Sequence, residues 1–154
     1  MKPNSSTNIE KAEILLKGWE TFQSLAKSNS ESAWNLRAWG ISVWSALIAY
    51  SYTSNKGEII VIAIITLVAV FLIELAIRQI QYKYIEKSIS IECSINDLLV
   101  GDAPRLPPGG ISTNIDTPTI LDLLSLFHSK RWLIWLPYLI LFVFSIYSFK
   151  YFQT

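Results

Sequence analysis

Glu74 is the side chain whose setting most constrains its chemistry. It stands in the run IIVIAIITLVAVFLIELAI (59–77), where Thr66 is the other polar residue. An ionisable group there is costly unless it is paired or faces water. Two readings follow. Arg78 lies one turn on, where an i,i+4 pair would neutralise Glu74 near an interface, with both side chains reaching toward the headgroups. Alternatively, several copies would place Glu74 in a ring of carboxylates lining an ion path, with Thr66 as a second pore candidate. The plainer reading of Thr66 is a hydroxyl bonded to its own helix backbone. A second group of residues interleaves cations with rings: Lys83, Lys87, Arg105, Lys130 and Arg131 among Tyr82, Tyr84, Phe127 and Trp132. Phosphate neutralisation with base stacking would use such groups, above all Lys83, Lys87 and Arg105 with Tyr82 or Tyr84. Headgroup contact and topology signalling would use them equally.

Other chemistry is sparse. His128 is the single histidine and has no second ligand at metal spacing. Gly109-Gly110 reads as a turn, and Asp97, Asp102, Asp116 and Asp122 are scattered as surface or capping acids. No catalytic site, metal or cofactor is expected, and the chain is not read as an enzyme. One cysteine, Cys93, excludes an internal disulfide. The net charge of +1 gives no bulk attraction to nucleic acid. The first twenty residues lack the apolar core and small-residue cleavage site of a secretory signal.

The elements that must position these residues are helices. Residues 59–77 suffice to cross a hydrocarbon core roughly 30 Å thick, whereas a globular helix hides one face only. The predicted fold is an all-α membrane protein with three transmembrane helices. Ile9, Ala12, Leu16, Trp19, Phe22 and Ala26 recur at helical spacing, so residues 1–35 are assigned to a cytoplasmic amphipathic helix, with capping-box spacing at Thr7 and Glu10. SNSES at 28–32 is expected to break it. A transmembrane hairpin covers 36–78, with spans at about 38–53 and 58–77 joined by the turn-forming 53–57. In the first span Gly40, Ser42 and Ser45 suit close helix contact, while Trp34, Trp39, Tyr50 and Tyr52 sit near its ends. The second helix has no Gly or Pro before Gly101, so it is expected to continue to about 99 as a stalk, with Ile80, Tyr84, Ile91, Ile95 and Leu98 forming a helix–helix seam. Residues 79–131 comprise this stalk, the loop GDAPRLPPGG and a short helix beginning near Asp116-Thr-Pro118. A third span occupies 132–150, with Pro137 tolerable near its start.

Basic residues set the orientation. Five lie before the first span (Lys2, Lys11, Lys17, Lys27, Arg37) and six between the second and third (Arg78, Lys83, Lys87, Arg105, Lys130, Arg131); Lys56 and Lys150 remain. The positive-inside rule then puts the N-terminus and residues 78–131 in the cytoplasm, with the hairpin loop and C-terminus outside. For a bacterial inner membrane, that outside is the periplasm.

This layout resembles small membrane effectors of bacterial antiphage systems, in which a nucleotide-polymerising partner makes a signal and a short multi-span protein damages the inner membrane. Residues 9–99, including NLRAWGISVWSALIAY and QYKYIEKSISIECSINDLL, resemble the two-span SLATT-like effector domain. The size, the three-span plan and the cytoplasmic middle segment resemble the channel effector of the Hailong system, an oligomeric channel gated by a deoxyadenosine oligomer. The apolar seam running from the second span through Ile91 to Leu98 is expected to assemble the copies into a homo-oligomer, with four as the working number. The resemblance implies an oligomeric ion channel in the lipid bilayer. It also implies a nucleotide or oligonucleotide ligand and a nucleotidyltransferase partner. It carries no ligand residue across. Two other classes fit the same chain: a non-channel membrane subunit or assembly factor, and a holin-like pore former.

Overall fold

The computed structural model describes residues 5–101, 110–115, 122 and 131–152. The described residues form three helices and no strand: α1 (Ser5–Ser54), α2 (Glu58–Val100) and α3 (Trp132–Tyr151). Arg105, the proline loop, the helix expected from Asp116, His128 and Lys130 lie outside them.

The break expected at 28–32 is absent, because α1 runs through SNSES as helix. Serine and asparagine lower helix propensity by only a few tenths of a kcal/mol each, too little to end a helix without Gly or Pro. Packing holds the register instead. Phe22, Ala26, Ala33, Arg37, Gly40, Trp44, Ile48 and Ser51 all turn inward at spacings of three, four and seven. Asn29 donates to the Leu25 carbonyl (2.9 Å), so its amide bonds within α1. The inward stripe differs from the expected one near its start. Leu15 is buried, while Ile9 and Leu16 are exposed.

Helix α1 ends as the turn signal predicts. Asn55 adopts φ 55°, a left-handed conformation asparagine tolerates. The Lys56 N–H donates to the Ser51 carbonyl (3.1 Å), closing a Schellman-type cap. The Ser51 hydroxyl donates to the Lys56 carbonyl (3.0 Å). Helix α2 then begins at Glu58 and continues to Val100, as expected from the absence of Gly and Pro. Helix α3 contains Pro137, and Lys150 in its last turn complements the helix dipole.

Contacts divide the chain into two units. The first comprises residues 1–30 and 80–117. Its core is Leu15, Phe22 and Ile91, with Trp19, Leu25, Tyr84, Ile95 and Leu98 packed around it. The stalk seam is therefore filled by α1 of the same chain. The second unit comprises residues 31–79 and 118–154. There Trp44, Ile48, Ile60, Ala63, Leu67, Val70 and Tyr138 form the core.

Two helices are long and apolar enough to cross a membrane, α2 and α3. The stretch 38–53, expected as a span, lies in α1, which does not meet that standard by composition. Only 33% and 22% of the apolar windows of α2 and α3 are buried. The core helix of a water-soluble domain would bury most of such a window.

Candidate functional site

The second unit is held by polar groups at its centre. Glu74 is fully buried. Its carboxylate accepts two bonds from the Arg37 guanidinium, Nε at 3.0 Å and Nη2 at 2.5 Å. The Tyr138 hydroxyl donates to the same carboxylate. Arg78 Nε lies 3.4 Å away, one turn along α2. Arg37 Nη2 also donates to the Ile134 carbonyl of α3 (3.2 Å). Pro137 has no N–H to offer the Leu133 carbonyl, one residue before the carbonyl that Arg37 reaches. The Arg37 guanidinium lies 5.2 Å from the Trp34 ring centroid and 5.7 Å from that of Tyr138, within cation–π range. One carboxylate thereby ties together α1, α2 and α3.

A second polar contact repeats this logic further along the same helices. Trp44 Nε1 donates to the buried Ser145 hydroxyl (2.9 Å), which itself donates to the Leu141 carbonyl (2.9 Å). Gly40 supplies the close approach between α1 and α2. A Cβ there would lie 2.5 Å from Val70 Cγ1, so only glycine fits. At the loop end, Gly57 abuts Phe152 and Tyr52 packs against Tyr151 and Phe152. The three helices of this unit thus run side by side over the whole length of α3.

Within one copy the pore candidates have these surroundings. Glu74 points inward among three partners and clasps the helices together. The expected pair with Arg78 exists, but the bidentate bond belongs to Arg37. That partner was legible only as a topology signal, because it lies 37 residues away in sequence. The Thr66 hydroxyl donates to the Ile62 carbonyl (2.9 Å), the plainer of its two readings. Ser42 and Ser45 are exposed, and Ser42 donates to the Ala38 carbonyl (2.9 Å).

The cation-and-ring candidates fall in the first unit. Lys87 Nζ donates to the carbonyls of Ser112 (2.7 Å) and Asn114 (2.5 Å) and lies 5.8 Å from the Phe22 ring centroid. Ile111 of the same segment sits on Gly18, where a Cβ would come within 3.0 Å of it. Residues 110–115 are therefore strapped to the helix pair by one ammonium and one apolar side chain. Tyr84 packs on Phe22 with ring centroids 6.1 Å apart and belongs to the core. Gln23 donates to the buried Ser88 hydroxyl (2.8 Å). Lys83 and Tyr82 are half-buried on α2. Arg105, the remaining ligand candidate, is outside the described residues.

Among the described residues no cluster of His, Cys, Asp or Glu could hold a metal ion. Comparison with protein-family models, curated proteins and solved structures returned no match.

Proposed function

We infer that this chain is a three-span protein of the bacterial inner membrane that assembles into a homo-oligomeric channel opened from the cytoplasm. The observation that carries the membrane part is the inverted polarity of the second unit. Arg37, Ser51, Glu74, Ser145 and Ser148 are buried, whereas Ile62, Ile65, Leu72, Leu133, Ile140 and Val143 are exposed. Water would reverse that sorting, and hydrocarbon favours it. Contacts rather than composition support the first span: Arg37, Gly40 and Trp44 meet partners on α2 and α3, which favours the same depth for residues 38–53. The basic-residue split supports a cytoplasmic N-terminus and a periplasmic C-terminus.

The channel reading needs several copies, since the centre of one copy is filled by side chains. The outer face of α1 suits that assembly. Ala38, Ser42, Ser45, Ala46, Ala49 and Thr53 are exposed and small, which lets the helices of neighbouring copies approach closely. This replaces the stalk seam, which is already occupied. Cytoplasmic opening by a nucleotide or oligonucleotide rests on Lys87. Its carbonyl partners are neutral, and a phosphate would bind the ammonium more strongly. A ligand that binds the released form of residues 110–115 better than the strapped form shifts the balance between them.

Ion flux from liposomes containing the purified protein tests this function. Flux that rises when an oligonucleotide is added, and falls with Lys87→Met, is the expected result. A membrane-inserted protein that passes no ions with or without nucleotide would favour the non-channel subunit.

A further inference from the structure

A crevice between α2 and α3 is floored by Leu67, Phe71 and the Tyr138 ring, and rimmed by Val68, Leu139 and Phe142. Its volume is about 170 Å³, comparable with the ~150 Å³ apolar cavities that stay dry and take benzene. Trp135 also lines it, and its buried indole N–H has no acceptor. The crevice opens sideways, since Val68, Leu139 and Phe142 are exposed on the apolar exterior of both helices. Positions 135 and 142 are about 10 Å apart along the helix axis.

We propose that this crevice binds the upper part of one phospholipid acyl chain, with the chain's ester carbonyl accepting the Trp135 N–H. The proposal rests on the membrane reading above. Shape and chemistry both select the occupant. An apolar slot open to hydrocarbon takes a chain from the side without drawing polar groups into it. A single N–H donor at one end matches the one acceptor at the head of an otherwise apolar chain. Trp135 stands one turn inside Arg131 and Trp132, at the end of α3 assigned to the cytoplasmic face, so the lipid belongs to the inner leaflet. A second copy of this chain would fill the slot with side chains and leave the indole N–H without an acceptor.

The test uses the full-length protein in liposomes of phosphatidylcholine carrying a photoactivatable diazirine on its acyl chain. Adducts are mapped by peptide mass spectrometry. The expected result is adduct enrichment at the crevice several-fold above exposed Ile62 and Ile65. Val68→Trp, which fills the slot from its rim, should remove that enrichment and leave the Ile62 yield unchanged. Trp135→Phe keeps an aromatic ring, widens the slot and removes the donor, and should lower crevice adducts by at least half despite the added room. Insertion with adducts spread evenly over all exposed apolar positions overturns the proposal and leaves the membrane reading intact. Even labelling that also ignores Val68→Trp identifies ordinary annular lipid and has the same consequence. Failure of the chain to enter the liposomes overturns both.

Discussion

At the scale of single residues, Glu74 is a buried acid whose partners come from three helices, which makes its removal and its neutralisation different experiments. Glu74→Leu leaves the Arg37 guanidinium buried without a counter-charge, and breaking a buried pair from one side costs about 3–5 kcal/mol. Glu74→Gln keeps an acceptor for Tyr138 and for one Arg37 donor, so a smaller loss is expected. The Arg37→Leu, Glu74→Leu double variant should be more stable than the sum of the single losses predicts. Thermal unfolding of the detergent-solubilised variants measures this, and additive losses would mean that the two groups act independently. Tyr138→Phe should cost about 1 kcal/mol, the range found for hydrogen bonds between membrane helices. The sequence made Glu74 conspicuous because everything around it is apolar. It could not identify Arg37 or Tyr138, because nothing local links residues 37 and 64 positions away.

At the scale of elements, glycine and lysine set two contacts that can be broken separately. Gly40→Ala drives a methyl into Val70, which is itself buried and cannot swing aside. A loss of about 1–3 kcal/mol is expected, as for other overpacked contacts. Val70→Ala in the same chain should restore most of it, and rescue of the unfolding temperature is the measurement. Lys87→Met removes the donor that ties down residues 110–115. Amide hydrogen exchange in that segment should then quicken while exchange at Ile91 stays slow. Equal rates in wild type and variant would show that Ile111 alone holds the segment. Much of this level was legible in the chain. Missing Gly and Pro foretold α2 to within a residue, and the Asn-Lys-Gly turn foretold the hairpin. The continuity of α1 was not, because SNSES resembles a turn locally and is overruled by packing on both sides. Leu15 and Leu16 are adjacent leucines, so spacing alone left the inward one ambiguous.

At the scale of the whole molecule, the basic-residue split predicts the topology and the outer face of α1 the assembly. Alkaline phosphatase fused after Thr154 should be active, and fused near Gly109 inactive; the opposite pattern would reverse the orientation. Ser45→Leu enlarges the small-residue face of α1 without touching the core. It should shift the protein toward smaller species in mass measurements made in detergent. An unchanged mass would exclude that face as the contact between copies.

The link between Arg37 and Glu74 also bears on how the chain is made. Arg37 leaves the ribosome 37 residues ahead of its partner. The 38–53 stretch is weakly apolar, carries Ser42, Ser45 and Ser51, and begins beside an arginine whose counter-charge is not yet made, so it has little reason to enter lipid first. Glu74 arrives on a helix that inserts readily, already one turn from Arg78. The two helices should therefore enter as a hairpin once residue 74 has been synthesised. Nascent chains arrested before that point should leave 38–53 extractable by alkali, and chains arrested well beyond it should not.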